Sequence, residues 1–349
     1  GMGVPPRALM APRFIRMFDW RLNVTSNSHL PDLLDDREND DPSTVLSSVH
    51  AAIEVILAAR SWRATGRKRV LVLDAISGLT WPAMGETEEV RSAVVNELSR
   101  LFDRLYTTGN DAPGSFRTIP MGLDEPKARR AGADTAMAAI ASARLDDQAK
   151  PFLLLAPSAP LTGRTDGFGG PLHNWNVLSE TNSTRAILEW GRHPFYGAIP
   201  MWKQYRAAQS GQRPKVVSRQ MADKWVDSPE AVRIGVVTKP FKPRAWWAEL
   251  SKFRFMLSPM GDEIQCPKTV EALLVLTIPI LQRGPYPVPD DLLRLGFPIA
   301  VVDEWEEVTS AKLDHWWQAL SPRLLSFRAN CLTTDAWWRI VTGENESCH

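Results

Sequence analysis

Short runs of consecutive apolar residues, each about the length of one β-strand, most constrain the fold of this chain. The runs do not alternate with polar residues, which is typical of strands buried on both faces of a parallel sheet. Helical patterns separate several of them, and an alternation of strands and helices predicts doubly wound α/β sheets. The apolar runs lie at residues 70–74, 152–156, 253–257, 278–281 and 299–303.

Length predicts more than one domain. The chain has 349 residues, and a domain typically holds about 100–200. A polar stretch at 146–148 is the expected boundary, because domains usually join in exposed polar segments. We therefore predict one domain over 1–148 and another over 149–310. Residues 311–349 are expected to add two helices at the junction, with tryptophans at positions 316, 317, 337 and 338.

Local patterns predict further elements. Apolar residues at helical spacing predict a helix from Ser43 to Trp62, and Thr87 is a suitable N-cap for another helix that ends near Gly109. Residues 215–218 and 232–237 are interpreted as short strands because they are apolar and β-branched.

Charge and cysteine content exclude several classes of protein. Forty-one basic and 40 acidic residues leave a net charge of +1, so nucleic acid is not an expected partner. Three cysteines, at 266, 331 and 348, are scattered and odd in number. That pattern argues against a disulfide framework or a thiolate metal site and favours a reducing, cytoplasmic setting. Apolar runs stay well short of the ~18 residues of a membrane-spanning helix, so no integral membrane segment is expected.

Common catalytic and nucleotide-binding motifs are absent from the sequence. It has no Walker A, nucleophile-elbow, HExxH or EF-hand pattern, and its six histidines are dispersed. The glycines at 167 and 169 lie too far beyond a predicted strand for a dinucleotide fingerprint. An unrelated hydrolase therefore stays a weak alternative.

The segment 251–281 forms a complete β-loop-α-β pattern. Pro267 suits the first position of its helix, where neighbouring free amides can receive a phosphate. Lys268 and Glu271 are three residues apart and share one helix face. A cation there suits a diphosphate, and a carboxylate suits the vicinal hydroxyls of a ribose. The alternative is an exposed ion pair worth about 0.2–0.5 kcal/mol, and spacing alone does not decide between the two.

This segment resembles the donor-site signature of the exostosin-like glycosyltransferases. The matching residues are Ser251-Lys252-Phe253, Pro259, Gly261-Asp262 and, after the helix, Ile278-Pro279-Ile280. Residues 115–123 are similar to the family's I-P-x-G-L segment, and residues 182–185 to its N-x-x-R helix start. The resemblance implies GT-B architecture, with two doubly wound Rossmann-like domains facing a cleft and the sugar donor bound by the second domain.

The resemblance also implies roles for individual residues. Glu271 corresponds to the family's ribose-binding glutamate, Lys268 to its phosphate-contacting arginine and Arg185 to its helix-start arginine. Three positions depart from the pattern, because Gln265 replaces an acid, Lys268 an arginine and Leu276 a glycine. The whole set expected to bind the nucleotide sugar is Arg185, Ser258, Pro259, Gly261, Lys268, Thr269 and Glu271.

The activity implied is inverting transfer of a sugar from a UDP- or GDP-sugar to a carbohydrate acceptor in polysaccharide biosynthesis, without a metal or a separate cofactor. Such a reaction needs a base for the acceptor hydroxyl. Asp74 is the candidate because it ends a predicted strand of the first domain. Rival candidates for this base are His173, Asp166 and Asp124. The tryptophans best placed to stack on a sugar ring are Trp81 and Trp175. The alternative is a GT-B protein that binds carbohydrate or nucleotide and has lost transfer.

Overall fold

The computed structural model describes residues 14–24, 34–37, 40–62, 67–74, 80–85, 87–111, 114–123, 125–157, 218–260, 264–283 and 286–348. Within these ranges the chain is an α/β protein with two sheets, one of six strands and one of four. The α/β class predicted from the apolar runs is confirmed.

The first sheet has the strand order β2-β1-β3-β4-β5-β6. Strand β2 pairs antiparallel with β1, and the other neighbours are parallel. The described parallel strands advance in one direction, so the reversal expected of a doubly wound sheet is not found among them. The strands are β1 Trp20–Val24, β2 Leu34–Arg37, β3 Thr44–Ser48, β4 Val70–Asp74, β5 Arg104–Thr107 and β6 Arg117–Thr118.

Helices cover one face of this sheet. Helix α1 (Ala52–Ala59) and helix α3 (Glu88–Leu101) share a core cluster with Leu71 and Leu73 of β4. Thr87 caps α3 as predicted, since its side chain accepts a hydrogen bond from the Val90 amide. The helix ends at Leu101, short of the predicted end near Gly109, because the chain there turns into the buried strand β5. A short helix α2 (Thr80–Ala83) follows β4. The remaining strand face, with Val70 and Val72, belongs to a second and larger core.

The second sheet has the order β10-β9-β8-β7, all parallel. Leu155 pairs with Met256 of β8 and also forms a parallel bridge with Val237. Val237 therefore lies beyond β7, and the direction of winding reverses between β7 and β8. Such a reversal is where open α/β sheets bind ligands. The strands are β7 Phe152–Leu155, β8 Phe253–Leu257, β9 Ile278–Gln282 and β10 Ala300–Val302.

The remaining helices surround the second sheet or connect it to the first. Helix α4 packs against α7. Tyr106 of β5 donates a 3.0 Å hydrogen bond to the Ile340 carbonyl of α11, so this last helix contacts the first sheet. The domain division at residue 148 stays a prediction. The helices are α4 Glu125–Ser142, α5 Ser218–Val226, α6 Pro229–Ile234, α7 Trp246–Leu250, α8 Pro267–Leu274, α9 Val288–Arg294, α10 Ser310–Asn330 and α11 Thr334–Thr342.

Two further predicted elements differ from the structure. The segment that starts at Ser43 is first a strand, Thr44–Ser48, and becomes helical only from Val49 onward. Its strand is buried between β1 and β4, and such a run cannot be told from a buried helix by periodicity. In the predicted strand 232–237, the first three residues are the end of helix α6, which has Ser228 as N-cap and left-handed Gly235 as C-cap. Only Val237 joins the second sheet, through its bridge to Leu155. Of the predicted strand 215–218, Ser218 begins α5 and the rest lies outside the described residues.

No helix among the described residues is long and apolar enough to cross a membrane.

Candidate active site

The carboxyl ends of the two sheets meet at Gln265, in the loop between β8 and α8. Its side-chain amide donates to the carbonyl oxygens of Thr108 at 2.7 Å and Ile119 at 2.8 Å. Its amide oxygen accepts from the Met121 backbone N–H at 3.1 Å. Thr108 follows β5 and Ile119 follows β6. One side chain of the second sheet thus holds the loops at the edge of the first.

Helix α9 makes a second contact across the same junction. Asp291 accepts hydrogen bonds from the Thr118 hydroxyl and, at 3.1 Å, from the Asn110 side-chain amide. Both partners are buried at the carboxyl end of the first sheet. The two sheets therefore face each other through their carboxyl ends, the edges at which α/β sheets bind ligands.

Ser258 and Thr269 lie at the winding reversal of the second sheet. Ser258 directly follows β8, and its hydroxyl lies 2.8 Å from that of Thr269 in α8. Both residues are buried. The Ser258 backbone N–H donates to the Ile280 carbonyl at 2.8 Å, so it is committed to strand pairing. Half-buried Pro259 comes next. The structure thus brings three of the predicted binding residues together.

Lys268 and Glu271 converge on a residue that the sequence reasoning did not select. The indole N–H of Trp246 donates to the Glu271 carboxylate at 2.7 Å. The Lys268 ammonium lies 5.5 Å from the centre of the Trp246 ring, within the range of a cation–π contact. All three side chains are partly exposed. Trp246 thus contacts both charged groups of the pair.

A small cavity lies where Ser258 and Thr269 approach Met121, in the loop after β6. Its volume of about 20 Å³ suffices for about one water molecule. Buried Gln282, at the end of β9, lines it, and the Gln282 Oε1 atom has no hydrogen-bond partner among the residues that the structure describes. A nucleotide cannot enter this cavity as it stands. The other lining residues include Met121, Met260, Val288, Leu292 and Phe297.

Asp74 ends β4, as predicted, at the carboxyl edge of the first sheet. Burial raises the pKa of Asp74 to about 6, while a hydrogen bond from the Thr108 hydroxyl opposes this rise. Near neutral pH such a carboxyl exchanges a proton readily, which suits general acid–base chemistry. Thr108 also links Asp74 to Gln265 through its carbonyl group.

Asp111, which sequence reasoning missed, lies in the loop after β5. Burial raises the pKa of Asp111 to about 7, and a backbone hydrogen bond from Trp81 partly offsets the rise. Its Oδ2 atom has no hydrogen-bond partner within the described ranges. Asp111 was missed because the sequence pattern before it predicts a helix, whereas residues 104–107 form strand β5. The structure also places Trp81, a predicted sugar-stacking residue, beside this carboxyl.

Several predicted site residues lie outside the described residues, so the structure does not place them. They are Arg185 and Gly261 of the binding set, the rival bases His173, Asp166 and Asp124, and Trp175.

Fold and site together define a class: an α/β protein with two parallel-strand sheets, in a Rossmann-like arrangement, whose carboxyl edges meet around ionisable side chains. Neither the models of known protein families nor the curated proteins include a match to this chain. The described part of the chain contains no group of three or more His, Cys, Asp or Glu residues able to hold a metal ion.

Proposed function

We propose that the protein is an inverting glycosyltransferase of the exostosin-like family. It would move a sugar from a UDP- or GDP-sugar to a carbohydrate acceptor without a metal or a separate cofactor. The observation that carries the proposal is the meeting of two parallel sheets at their carboxyl edges, with Lys268 and Glu271 on one side and Asp74 on the other. Facing sheets of this kind support the GT-B arrangement that the sequence resemblance implies.

The donor would bind at the start of α8. Its first turn carries Lys268, whose positive charge suits the diphosphate, and Glu271 follows one turn later. Trp246 holds one carboxylate oxygen of Glu271, which fixes the orientation in which Glu271 can accept hydrogen bonds from a ribose. Since the cavity near Ser258 holds about one water, the nucleotide would lie outside it, along the partly exposed face of Lys268 and Glu271.

The acceptor would bind against the first sheet. There Asp74, with its pKa raised to about 6, is largely ionised at neutral pH and can take the proton of an attacking hydroxyl. Lys268 and Arg185 would balance the negative charge of the departing nucleotide diphosphate. Trp81 offers a flat apolar surface on the acceptor side. The bond from the anomeric carbon to the diphosphate breaks as the bond to the acceptor oxygen forms.

Calorimetric titration with UDP, GDP and their sugars tests the donor site. We expect one nucleotide series to bind, and Glu271→Gln and Lys268→Met each to weaken it at least tenfold. Glu249→Gln is the matched control. Glu249 lies on the neighbouring helix α7, pairs with Lys252 and has no assigned role. Equal nucleotide affinity in Glu271→Gln and the parent would show that the site is wrongly assigned.

A second candidate is a protein that keeps this fold and binds nucleotide or carbohydrate but has lost transfer. The Gln265 contacts favour it, because they close the junction between the sheets. Incubation of a donor panel with oligosaccharide acceptors distinguishes the two. Nucleotide binding without acceptor-dependent release of the nucleotide diphosphate would favour the binding protein, and release would exclude it.

A further inference from the structure

Two of the three cysteines, scattered in the sequence, are neighbours in the structure. Cys331 is the C-cap of α10, and Cys348 lies in the segment after α11. The Cys331 thiol donates to the Cys348 carbonyl at 3.2 Å. The Cys331 sulfur therefore lies directly beside the backbone of Cys348. Neither residue belongs to the site described above.

Backbone contacts hold both cysteines in place. The Cys331 N–H donates to the Phe327 carbonyl at 2.8 Å, and the residue is buried in the larger core. The Cys348 N–H donates to the Leu295 carbonyl at 3.1 Å. Two residues earlier, Glu346 forms ion pairs with Arg104 at 2.8 Å and Arg117 at 3.2 Å. These contacts fix both residues, with the Cys331 sulfur against the backbone of Cys348.

We propose that Cys331 and Cys348 are a redox modification site, which a two-electron oxidant such as hydrogen peroxide converts to a reversible disulfide. Both S–H bonds and the peroxide O–O bond break, and one S–S bond forms. The two thiol protons leave with the two peroxide oxygens as two molecules of water. A dithiol reductant reverses the reaction by thiol–disulfide exchange.

The local electrostatics favour this chemistry. The neighbouring Cys348 thiol and the positive charge of Arg323 lower the pKa of the Cys331 thiol, while burial opposes this. The same thiol contact and burial raise the pKa of Cys348. Of the two thiols, Cys331 is thus the one whose pKa shifts toward the thiolate, the form of cysteine that reacts with peroxides and disulfides.

The disulfide would fasten α11 and the segment after it to the end of α10. Helix α11 accepts the Tyr106 hydrogen bond, and Glu346 pairs with Arg104 and Arg117 of the first sheet. Oxidation would thus restrict the part of the chain that connects the two sheets at this end. Closing a loop lowers the entropy of the unfolded chain, so the oxidised protein should be the more stable form.

The test is to treat the full chain with hydrogen peroxide, alkylate the remaining thiols, and map the peptides by mass spectrometry. We expect a cross-linked peptide pair that contains Cys331 and Cys348, with the mass of two hydrogens lost. We also expect a rise in Tm of a few degrees that dithiothreitol reverses. Cys266→Ser should behave like the parent, whereas Cys348→Ser should show neither the cross-link nor the shift.

Cys348→Ser is the main variant because Cys348 is only half-buried and its replacement leaves the core intact. Full alkylation of both cysteines after peroxide treatment would overturn the proposal. So would a cross-link that involves Cys266, or oxidation of Cys331 to sulfinic acid without any cross-link. None of these outcomes depends on nucleotide binding, so the test is separate from that of the proposed transferase activity.

Discussion

The side-chain amide of Gln265 donates a 2.7 Å hydrogen bond to the main-chain carbonyl of Thr108. Since the Thr108 hydroxyl donates to Asp74, this contact connects the loop before α8 with the candidate base of the opposite sheet. The family pattern has an acid where this chain has Gln265. A carboxylate could accept from the Met121 N–H, but it could not donate to the two carbonyls that Gln265 contacts. Glutamine can therefore make all three contacts that close the junction, and a carboxylate cannot.

We predict that Gln265→Glu destabilises the junction. The change removes two donors and places a negative charge beside the Thr108 and Ile119 carbonyls. Leaving such groups unsatisfied costs about 1–3 kcal/mol. Urea denaturation should show this loss of stability. Gln148→Glu, in the exposed stretch before β7, is the matched control and should leave the unfolding midpoint nearly unchanged. A Gln265→Glu midpoint equal to the parent's would contradict the assigned role.

We predict that Trp246→Phe removes the hydrogen bond to Glu271 and keeps the ring contact with Lys268. Phenylalanine keeps an aromatic ring for Lys268 but lacks the N–H that binds Glu271 at 2.7 Å. A hydrogen bond to a charged group is worth about 1.5–3 kcal/mol, so nucleotide affinity should fall about tenfold or more. Calorimetry measures the change. Trp316→Phe is the control, because Trp316 contacts Lys312 on α10 and not the site. Unchanged affinity in Trp246→Phe would mean that Trp246 does not position Glu271 for the ligand.

The start of α8 shows what sequence reasoning could predict and what it could not. The strands and helix of 253–282 have nearly the predicted bounds, because unalternating apolar runs and Pro267 are local signals. The contact of Trp246 with Glu271 joins residues 25 positions apart, and Gln265 reaches Thr108 across 157 positions. Such contacts depend on how elements pack. They leave no periodicity in the sequence, so Trp246 was missed and Gln265 was noticed only as a departure from a family pattern.

Asp74 should make stability depend on pH. Its folded-state pKa of about 6 lies above the ordinary aspartate pKa of 3.8, so the folded protein binds the proton more tightly than the unfolded chain. The stability that Asp74 contributes is therefore fully present below about pH 4 and is lost as pH rises through about 6. In Asp74→Asn, the decrease in the free energy of unfolding between pH 4 and 6 should be smaller than in the parent by about 1–3 kcal/mol.

Urea denaturation across pH 4–7 measures the Asp74 effect without any assay of activity. Asp111 provides a comparison, because its pKa of about 7 means that the stability it contributes is lost at higher pH than that of Asp74. If transfer activity is found, the parent's rate should rise with pH through about 6, since the base must be ionised, and Asp74→Asn should abolish it. Identical pH profiles of stability in parent and variant would show that the Asp74 carboxyl is not perturbed by the fold.

Leu276 has a left-handed backbone, with φ of 60°, and a fully buried side chain. The family pattern has glycine at this position, and glycine favours that conformation. A left-handed backbone costs a non-glycine residue about 1–2 kcal/mol, whereas loss of a buried leucine side chain costs about 2–5 kcal/mol. The second effect is larger, so both Leu276→Gly and Leu276→Ala should be less stable than the parent.

The two Leu276 variants should differ in stability, in the reverse of the order usual for alanine and glycine. Alanine keeps the backbone strain and glycine relieves it, so Leu276→Gly should be the more stable of the two by about 1 kcal/mol. Leu257, buried in the regular strand β8, is the matched control. There the ordinary order should hold, with glycine about 0.5–1 kcal/mol less stable than alanine. Chemical denaturation of the four variants measures both differences, and the same order at the two positions would exclude backbone strain at Leu276.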